Sequence, residues 1–210
     1  MISVDVRRKA FGTSEVLRDV RFEMQDGQTV ALLGASGIGK STLLRLVAGI
    51  DAAFEGAIVR PQAIAMVFQE PVLLPWRSVL QNLTLVHPTL GEAAARQALE
   101  RIGIGDKADL FPGQLSLGQQ RRLSLARAFA GRPALLLMDE PYVSLDLQTA
   151  EEMLELTEAL IAESRPSVIL VTHSESEARR LADRTLRLVG RPATLAEDAA
   201  FVPAPSEGLS

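Results

Sequence analysis

The 210-residue sequence contains no cysteine. Disulfides, thiolate metal sites and thiol nucleophiles are thereby excluded together, and a reducing compartment is the natural setting. Histidine is nearly as scarce: His87 and His173 are the only two, too few for most histidine-rich metal sites. Lys and Arg total 22 against 26 Asp and Glu, a formal charge of −4. With no positive excess to draw the chain toward a polyanion, nucleic acid is not an expected partner. No apolar run approaches the roughly 18–20 residues a bilayer span needs, because stretches such as Ala134 to Met138 stop at charge, Gly or Pro. The start, Met1-Ile2-Ser3-Val4-Asp5-Val6-Arg7, alternates and carries a carboxylate where a secretion signal has a basic start and a continuous apolar centre. It reads as a strand in a cytoplasmic protein. At 47% hydrophobic and 23% charged, the composition suits one globular domain or a compact pair of subdomains.

Alternating apolar residues predict half-buried strands over Ile2 to Val6 and Val20 to Met24, with a hairpin turn at Asp26-Gly27 before Thr29 to Leu33. Helical spacing of Leu43, Leu44, Val47 and Ala48 predicts a helix from Lys40 to Ala48 ended by Gly49, and Ala57 to Arg60 and Ala63 to Phe68 read as short strands. Between about 71 and 131 the β-branched runs thin out, and Glu92 to Ile102 and Gln119 to Ala130 carry good helix formers, so a helical insertion is expected there. Ala134 to Met138 and Ser167 to Thr172 are continuous apolar runs of the kind found in parallel sheets covered on both faces. A helix from Leu147 to Glu163 would join them as a βαβ crossover. Residues 191–210, with Pro192, Pro203, Pro205 and Gly208, are expected to be a tail of low order after a domain spanning 1–190.

Gly34-Ala35-Ser36-Gly37-Ile38-Gly39-Lys40-Ser41 matches G-x-x-x-x-G-K-[S/T], after a predicted strand and before a predicted helix that continues with Thr42. Glycines allow positive φ, so consecutive backbone N–H groups can converge on a phosphate. The helix start adds partial positive charge and Lys40 a full one. Ser41 can ligate Mg²⁺ through its hydroxyl. The run Ala134 to Met138 then meets Asp139-Glu140-Pro141, two carboxylates at the C-terminal end of a buried strand. Asp139 fits a Mg²⁺ partner, directly or through water, and Glu140 a group that orients or deprotonates an attacking water.

With these elements in place, the chain resembles the nucleotide-binding subunit of ATP-binding cassette (ABC) transporters over roughly residues 2 to 190, closest in look to the importer group for nitrate, sulfonate and taurine. Leu115-Ser116-Leu117-Gly118-Gln119 is similar to that family's signature Leu-Ser-Gly-Gly-Gln. The implied fold is α/β: a P-loop core with a mostly parallel sheet, an N-terminal antiparallel β layer and a helical subdomain. The resemblance also implies two ATP molecules sandwiched in a homodimer, each held by one copy's Lys40 loop and by Ser116, Gly118 and Gln119 of the other. Gln69 is identified with the glutamine that reaches Mg²⁺ and senses the γ-phosphate. By the same resemblance Asp146, in Ser144-Leu145-Asp146, would link the two sites, His173 would be the switch histidine at the γ-phosphate, Phe11 would stack on adenine and Val16 would be a second base contact. The implied metal ligands are Ser41, Gln69 and Asp139, and the catalytic set is Glu140, His173, Lys40 and Gln69.

Leu117 replaces the signature's first glycine. It either crowds the phosphate and slows hydrolysis or points away into the helical layer, and the second is the expectation because the other motif residues are intact. Leu73, Leu74 and Trp76 are candidate coupling residues toward a membrane subunit, and His87 has no assigned role and is expected to face solvent. The implied function is an ATP-hydrolysing subunit of an importer, cytoplasmic and peripheral on the inner face of the membrane. Permease subunits and a separate solute-binding protein are its implied partners. The alternatives are a soluble non-transport ABC-type ATPase or a catalytically weak ATP-dependent switch. Relatives acting on DNA or ribosomes usually carry coiled-coil arms or two cassettes, and this sequence shows neither heptads nor the length.

Overall fold

The computed structural model describes residues 1–196. In chain order the first elements are β1 (Ile2–Phe11), β2 (Ser14–Met24), β3 (Thr29–Leu33), α1 (Lys40–Ala48), β4 (Glu55–Val59), β5 (Ile64–Val67), α2 (Val79–Thr84) and α3 (Glu92–Arg101). There follow α4 (Leu117–Ala130), β6 (Leu135–Asp139), α5 (Leu147–Ser164), β7 (Ser167–Val171), α6 (Glu175–Leu181), β8 (Arg184–Val189) and β9 (Thr194–Leu195). Two compact units divide them: Met1–Arg60 with the described residues from Ile169, and Pro61–Val168.

In the first unit β1 forms an antiparallel layer with β2 on one side and β4 on the other. Register follows burial: Ile2 faces Met24, Val4 faces Phe22 and Val6 faces Val20, and all six are buried, so slipping by one residue would turn the apolar set to the other face. Gly56 is required in β4, since a Cβ there would lie 2.0 Å from the Asp5 carbonyl oxygen. The Asp26-Gly27 turn does not make the expected hairpin. β2 ends in the antiparallel layer, whereas β3 pairs in parallel with β8, which carries β9 antiparallel. The burial patterns explain the separation: β2 alternates near its end, but all five residues of β3 are buried, as in a strand covered on both faces. α1 buries Leu43, Leu44, Leu46 and Val47 and ends at Gly49, whose left-handed φ of 73° lets its N–H reach the carbonyls of Arg45 and Leu46.

The first part of the expected tail is structured. The Ala193 N–H donates to the Val16 carbonyl at 2.8 Å and the Ala193 carbonyl accepts from the Arg18 N–H at 2.9 Å. Pairing with two strands outweighs the local Gly and Pro content through 196, and 197–210 lie outside the described residues.

In the second unit β5 and β6 pair in parallel. The helical segment predicted over 71–131 is present as α2, α3 and α4, which share a core that includes Val79, Leu83, Leu99, Ile102 and Leu123. The compact unit around it is wider than the expected insertion. α2 is only six residues long and is held by a Ser78–Gln81 capping box and by Val79 and Leu80 N–H groups donating to the Leu110 and Ala108 carbonyls. His87 does not face solvent freely: its Nε2 lies 2.7 Å from the Arg127 carbonyl oxygen, and its ring fills the space beside Gly131. β7 is buried throughout. At its start the Ser167 N–H donates to the Ala134 carbonyl within the second unit, and just after its end the Thr172 N–H donates to the Leu32 carbonyl within the first.

Candidate functional site

The loop from Gly34 to Gly39 leaves the buried end of β3 and enters α1 directly. Gly37 and Gly39 have φ of 73° and 116°, values that L-residues rarely adopt. A Cβ on Gly39 would sit 2.9 Å from the Leu17 side chain and 3.0 Å from that of Val16, so the loop lies flush on β2. Lys40 is buried, and its ammonium donates to the Gly34 carbonyl at 2.8 Å and the Ala35 carbonyl at 3.1 Å. Ser41 and Thr42 fall in the first turn of α1, which has no acidic residue to offset its positive end. Beside the loop is a cavity of about 380 Å³ lined by Val16, Gly37, Ile38 and Arg191 among others.

Phe11 is 56% exposed with the Lys9 Nζ 4.5 Å from its ring centroid. That ammonium is itself buried, 2.6 Å from Asp51 Oδ2 and donating to the Ala53 carbonyl at 2.8 Å. The Lys9 ammonium also holds the Asp51 carboxyl below the usual carboxylate range. A cation fixed on a ring restrains an otherwise mobile aromatic. His173 is exposed between β7 and α6. The turn carrying it is fastened on both sides: the Thr172 hydroxyl donates to Glu177, and the Ser174 N–H donates to that hydroxyl oxygen at 3.0 Å. Ser174 also caps α6.

The remaining candidates belong to the second unit. Gln69 is exposed after β5 and Phe68, and Asp139 is buried at the C-terminal end of β6. Glu140 has φ 45° and Ser144 φ 64°, left-handed values that cost roughly 1–2 kcal/mol for an L-residue. Ser116 caps α4: its hydroxyl accepts from the Gln119 N–H at 3.3 Å, and the Gln119 side-chain oxygen accepts from the Ser116 N–H at 3.0 Å. Asp146 caps α5, accepting from the Thr149 N–H at 2.9 Å and hydroxyl at 2.7 Å, and these bonds lower its carboxyl pKa. A Cβ on Gly118 would approach Thr149 to 2.8 Å, so α4 and α5 touch at this glycine. Ser116, Leu117, Gly118, Gln119 and Asp146 together line a cavity of about 470 Å³. Two of the segments in the resemblance, the signature and the Asp146 loop, thus share one opening.

Leu117 corrects an expectation. It is the first residue of α4 without a positive φ, so the position does not demand glycine, yet its side chain is 43% exposed on the cavity wall and not packed in the helical layer. Replacing an exposed helical Leu by Gly should cost the helix about 1 kcal/mol. In the assembled complex, Leu117→Gly is expected to leave ATPase turnover within about threefold of wild type, the size of an ordinary surface effect. A large gain in a steady-state assay would show that the leucine obstructs the nucleotide. Of the coupling candidates only Trp76 is widely exposed, at 68%; Val72, which was not among them, is exposed as well. Leu73 packs on the helical core, and the Leu74 N–H donates to the buried Asn82 side chain at 2.8 Å.

Sequence reasoning did not single out Lys9, Asn82, Arg121 or Arg191. Arg121 is buried, with its guanidinium donating to the carbonyls of Pro141 and Val143. The signal was the adjacent pair Arg121-Arg122 in a helix, where two successive side chains cannot share one solvent face.

The chain matches the ABC transporter family over residues 17–143. It is 46% identical over 187 residues to an aliphatic sulfonates import ATP-binding protein of Rhizobium johnstonii, covering 88% of this chain and 75% of that one. It is 44% identical over 194 residues to the protein of that name in a Mycobacterium species, covering 90% and 79%, and 46% identical over 201 residues to one from Paracoccus denitrificans, covering 93% and 82%. Among solved structures, a metal-chelate type ABC transporter in an inward-facing conformation superposes with a TM-score of 0.81 at 29% identity, covering 93% of this chain and 82% of that one.

Proposed function

Because this chain belongs to the ABC transporter family and is an import-type ATP-binding subunit within it, we propose that two copies close around two ATP molecules to drive uptake of an aliphatic sulfonate. Its partners are membrane permease subunits, and a separate receptor delivers the solute. The observation that carries this reading is the joint presence of an intact phosphate loop with its buried Lys40 and a capped Ser116–Gln119 segment opening on a cavity with Asp146. An ATPase needing only one copy has no use for the second feature. Among the described residues no helix is long and apolar enough to cross a membrane; in the proposed assembly the subunit lies on the inner face, beneath the permease. Val72 and Trp76 are the exposed apolar residues of the candidate coupling segment.

In the proposed reaction Lys40 and the loop N–H groups exchange their internal contacts for the β- and γ-phosphates, while Phe11 and Val16 take the base. Glu140 aligns the attacking water, Gln69 senses the γ-phosphate, and His173 donates to the charge growing on the transferred phosphoryl. Ser116 and the amides near Gly118 complete the site of the opposite copy, and Asp146 links the two sites. Among the described residues there is no group of three or more His, Asp or Glu suited to a metal. The resemblance assigns Ser41, Gln69 and Asp139 to Mg²⁺, and a hydroxyl, an amide and a carboxylate are oxygen donors of the kind that would hold that ion. When bound, that ion neutralises charge on the triphosphate.

Isolation of the native complex from solubilised membranes, with mass spectrometry of the co-purifying chains, tests the assignment. A permease and a sulfonate receptor are expected. Ribosomal or DNA-repair proteins in their place would promote the non-transport alternative.

A further inference from the structure

We infer that Arg121 is a positioning residue for Glu140, a strut by which the helix that begins at the signature sets the loop carrying the water-orienting carboxylate. This rests on the role proposed above for Glu140. Arg121 lies one turn into α4, two residues beyond Gln119, whose side chain closes the cap on Ser116. It is 4% exposed. Its Nη1 donates to the Pro141 carbonyl at 3.1 Å and its Nη2 to the Val143 carbonyl at 3.0 Å. Those carbonyls belong to the turn that begins at Glu140 and ends at Ser144, both in left-handed conformations. Within the turn itself the Val143 N–H reaches the Glu140 carbonyl at 3.3 Å. Two parallel bonds from a rigid planar fork fix a turn in position and in angle, which a single flexible donor cannot do.

The energetics argue against a merely structural filler. A buried guanidinium is expensive unless all its donors are used, and here Nε and the nearby Ser124 hydroxyl, one turn along the helix, have no hydrogen-bond partner among the described residues. Burial pushes the Arg121 pKa down, and the negative charge of Glu70, next to Gln69, opposes that shift. An apolar side chain would suit the site better on packing alone. What the arginine adds is connection: α4, the Glu140 turn and the field of the residue after Gln69 meet at one group. A shift of the Ser116 end of α4 therefore reaches the Glu140 turn through two short hydrogen bonds.

The test uses the assembled transporter. Steady-state ATPase and affinity for a non-hydrolysable ATP analogue are measured for wild type, Arg121→Met, Arg121→Lys, Glu140→Gln and the Met/Gln double variant. A misplaced catalytic group can cost about 100-fold in rate, so Arg121→Met is expected to lower kcat by about that factor while KM and analogue affinity stay within about twofold of wild type. Arg121→Lys, which keeps the charge and some donors, should recover part of the loss. In the Glu140→Gln background the Met substitution should lower the residual rate no further, because a residue acting through Glu140 has nothing left to position. Unchanged kcat in Arg121→Met, or the same fractional loss with and without Glu140, overturns the inference. If the Met variant does not assemble, the Lys variant decides: reduced kcat at unchanged affinity supports the strut, and unchanged kcat overturns it. Ordinary turnover by Glu140→Gln alone would instead remove the role proposed for Glu140 itself.

Discussion

Replacing Glu140 by Gln is expected to lower ATP turnover by about 10²- to 10⁴-fold, the usual contribution of a positioned general base, while ATP affinity is retained. The carboxamide keeps the size and shape of the side chain and can occupy the same left-handed backbone position, with φ 45°. The hydrogen bonds that hold the turn run from Arg121 to the Pro141 and Val143 carbonyls and do not involve the Glu140 side chain. The proposed capacity to accept a proton from, or align, the attacking water is lost. Single-turnover hydrolysis measured beside equilibrium binding of ATP separates the two effects. A variant with near-normal turnover would show that another group activates the water, and a variant that loses binding would show that Glu140 serves the ground state.

Lys40→Ala acts at the opposite stage and is expected to weaken ATP binding by about 100-fold or more. In the proposed site two charge-assisted hydrogen bonds to phosphate oxygens would be lost, each worth about 1.5–3 kcal/mol. The Lys40 ammonium donates to the Gly34 and Ala35 carbonyls at 2.8 and 3.1 Å, so the loop turns carbonyl oxygens toward a cation at this point. Lys40→Arg should rescue little, because a buried cradle shaped around a compact ammonium has no room for a planar fork. Titration with a fluorescent ATP analogue checks both variants. Affinity within a few-fold of wild type in Lys40→Ala would locate the phosphates elsewhere.

Much of the fold was legible because burial leaves simple periods in the sequence. Ile2, Val4 and Val6 alternate and lie on the buried face of β1; Ala134 to Met138 is continuous and becomes β6, buried throughout. Gly49 stops α1 where a left-handed C-cap is needed. The failures have physical reasons too. Asp26-Gly27 has the residues of a hairpin turn, but turn chemistry fixes only the local bend, and the unbroken burial of β3 assigns that strand to a parallel partner. α2 is too short for a helical period and stands on its cap and its core contacts. Residues 191–196 look like a tail by composition and are held by bonds between Ala193 and β2 that no local pattern announces. The Gly-rich loop between β3 and α1 and the carboxylates at the end of β6 were legible because strand ends and helix starts leave fixed spacings in the sequence. The Arg121 strut and the Lys9–Asp51 pair were not, since each joins segments far apart in the chain through buried charge.

Closure of two copies around ATP is tested most directly by the mass of the Glu140→Gln particle in light scattering, with and without Mg²⁺-ATP. Addition of nucleotide should shift the particle from the 22.7 kDa of one chain to twice that mass, and Ser116→Arg, which puts bulk and charge at the cap proposed to face the other copy's nucleotide, should abolish the shift. A Glu140→Gln protein that binds ATP yet keeps the mass of one chain, even with its permease present, would contradict the shared-site dimer.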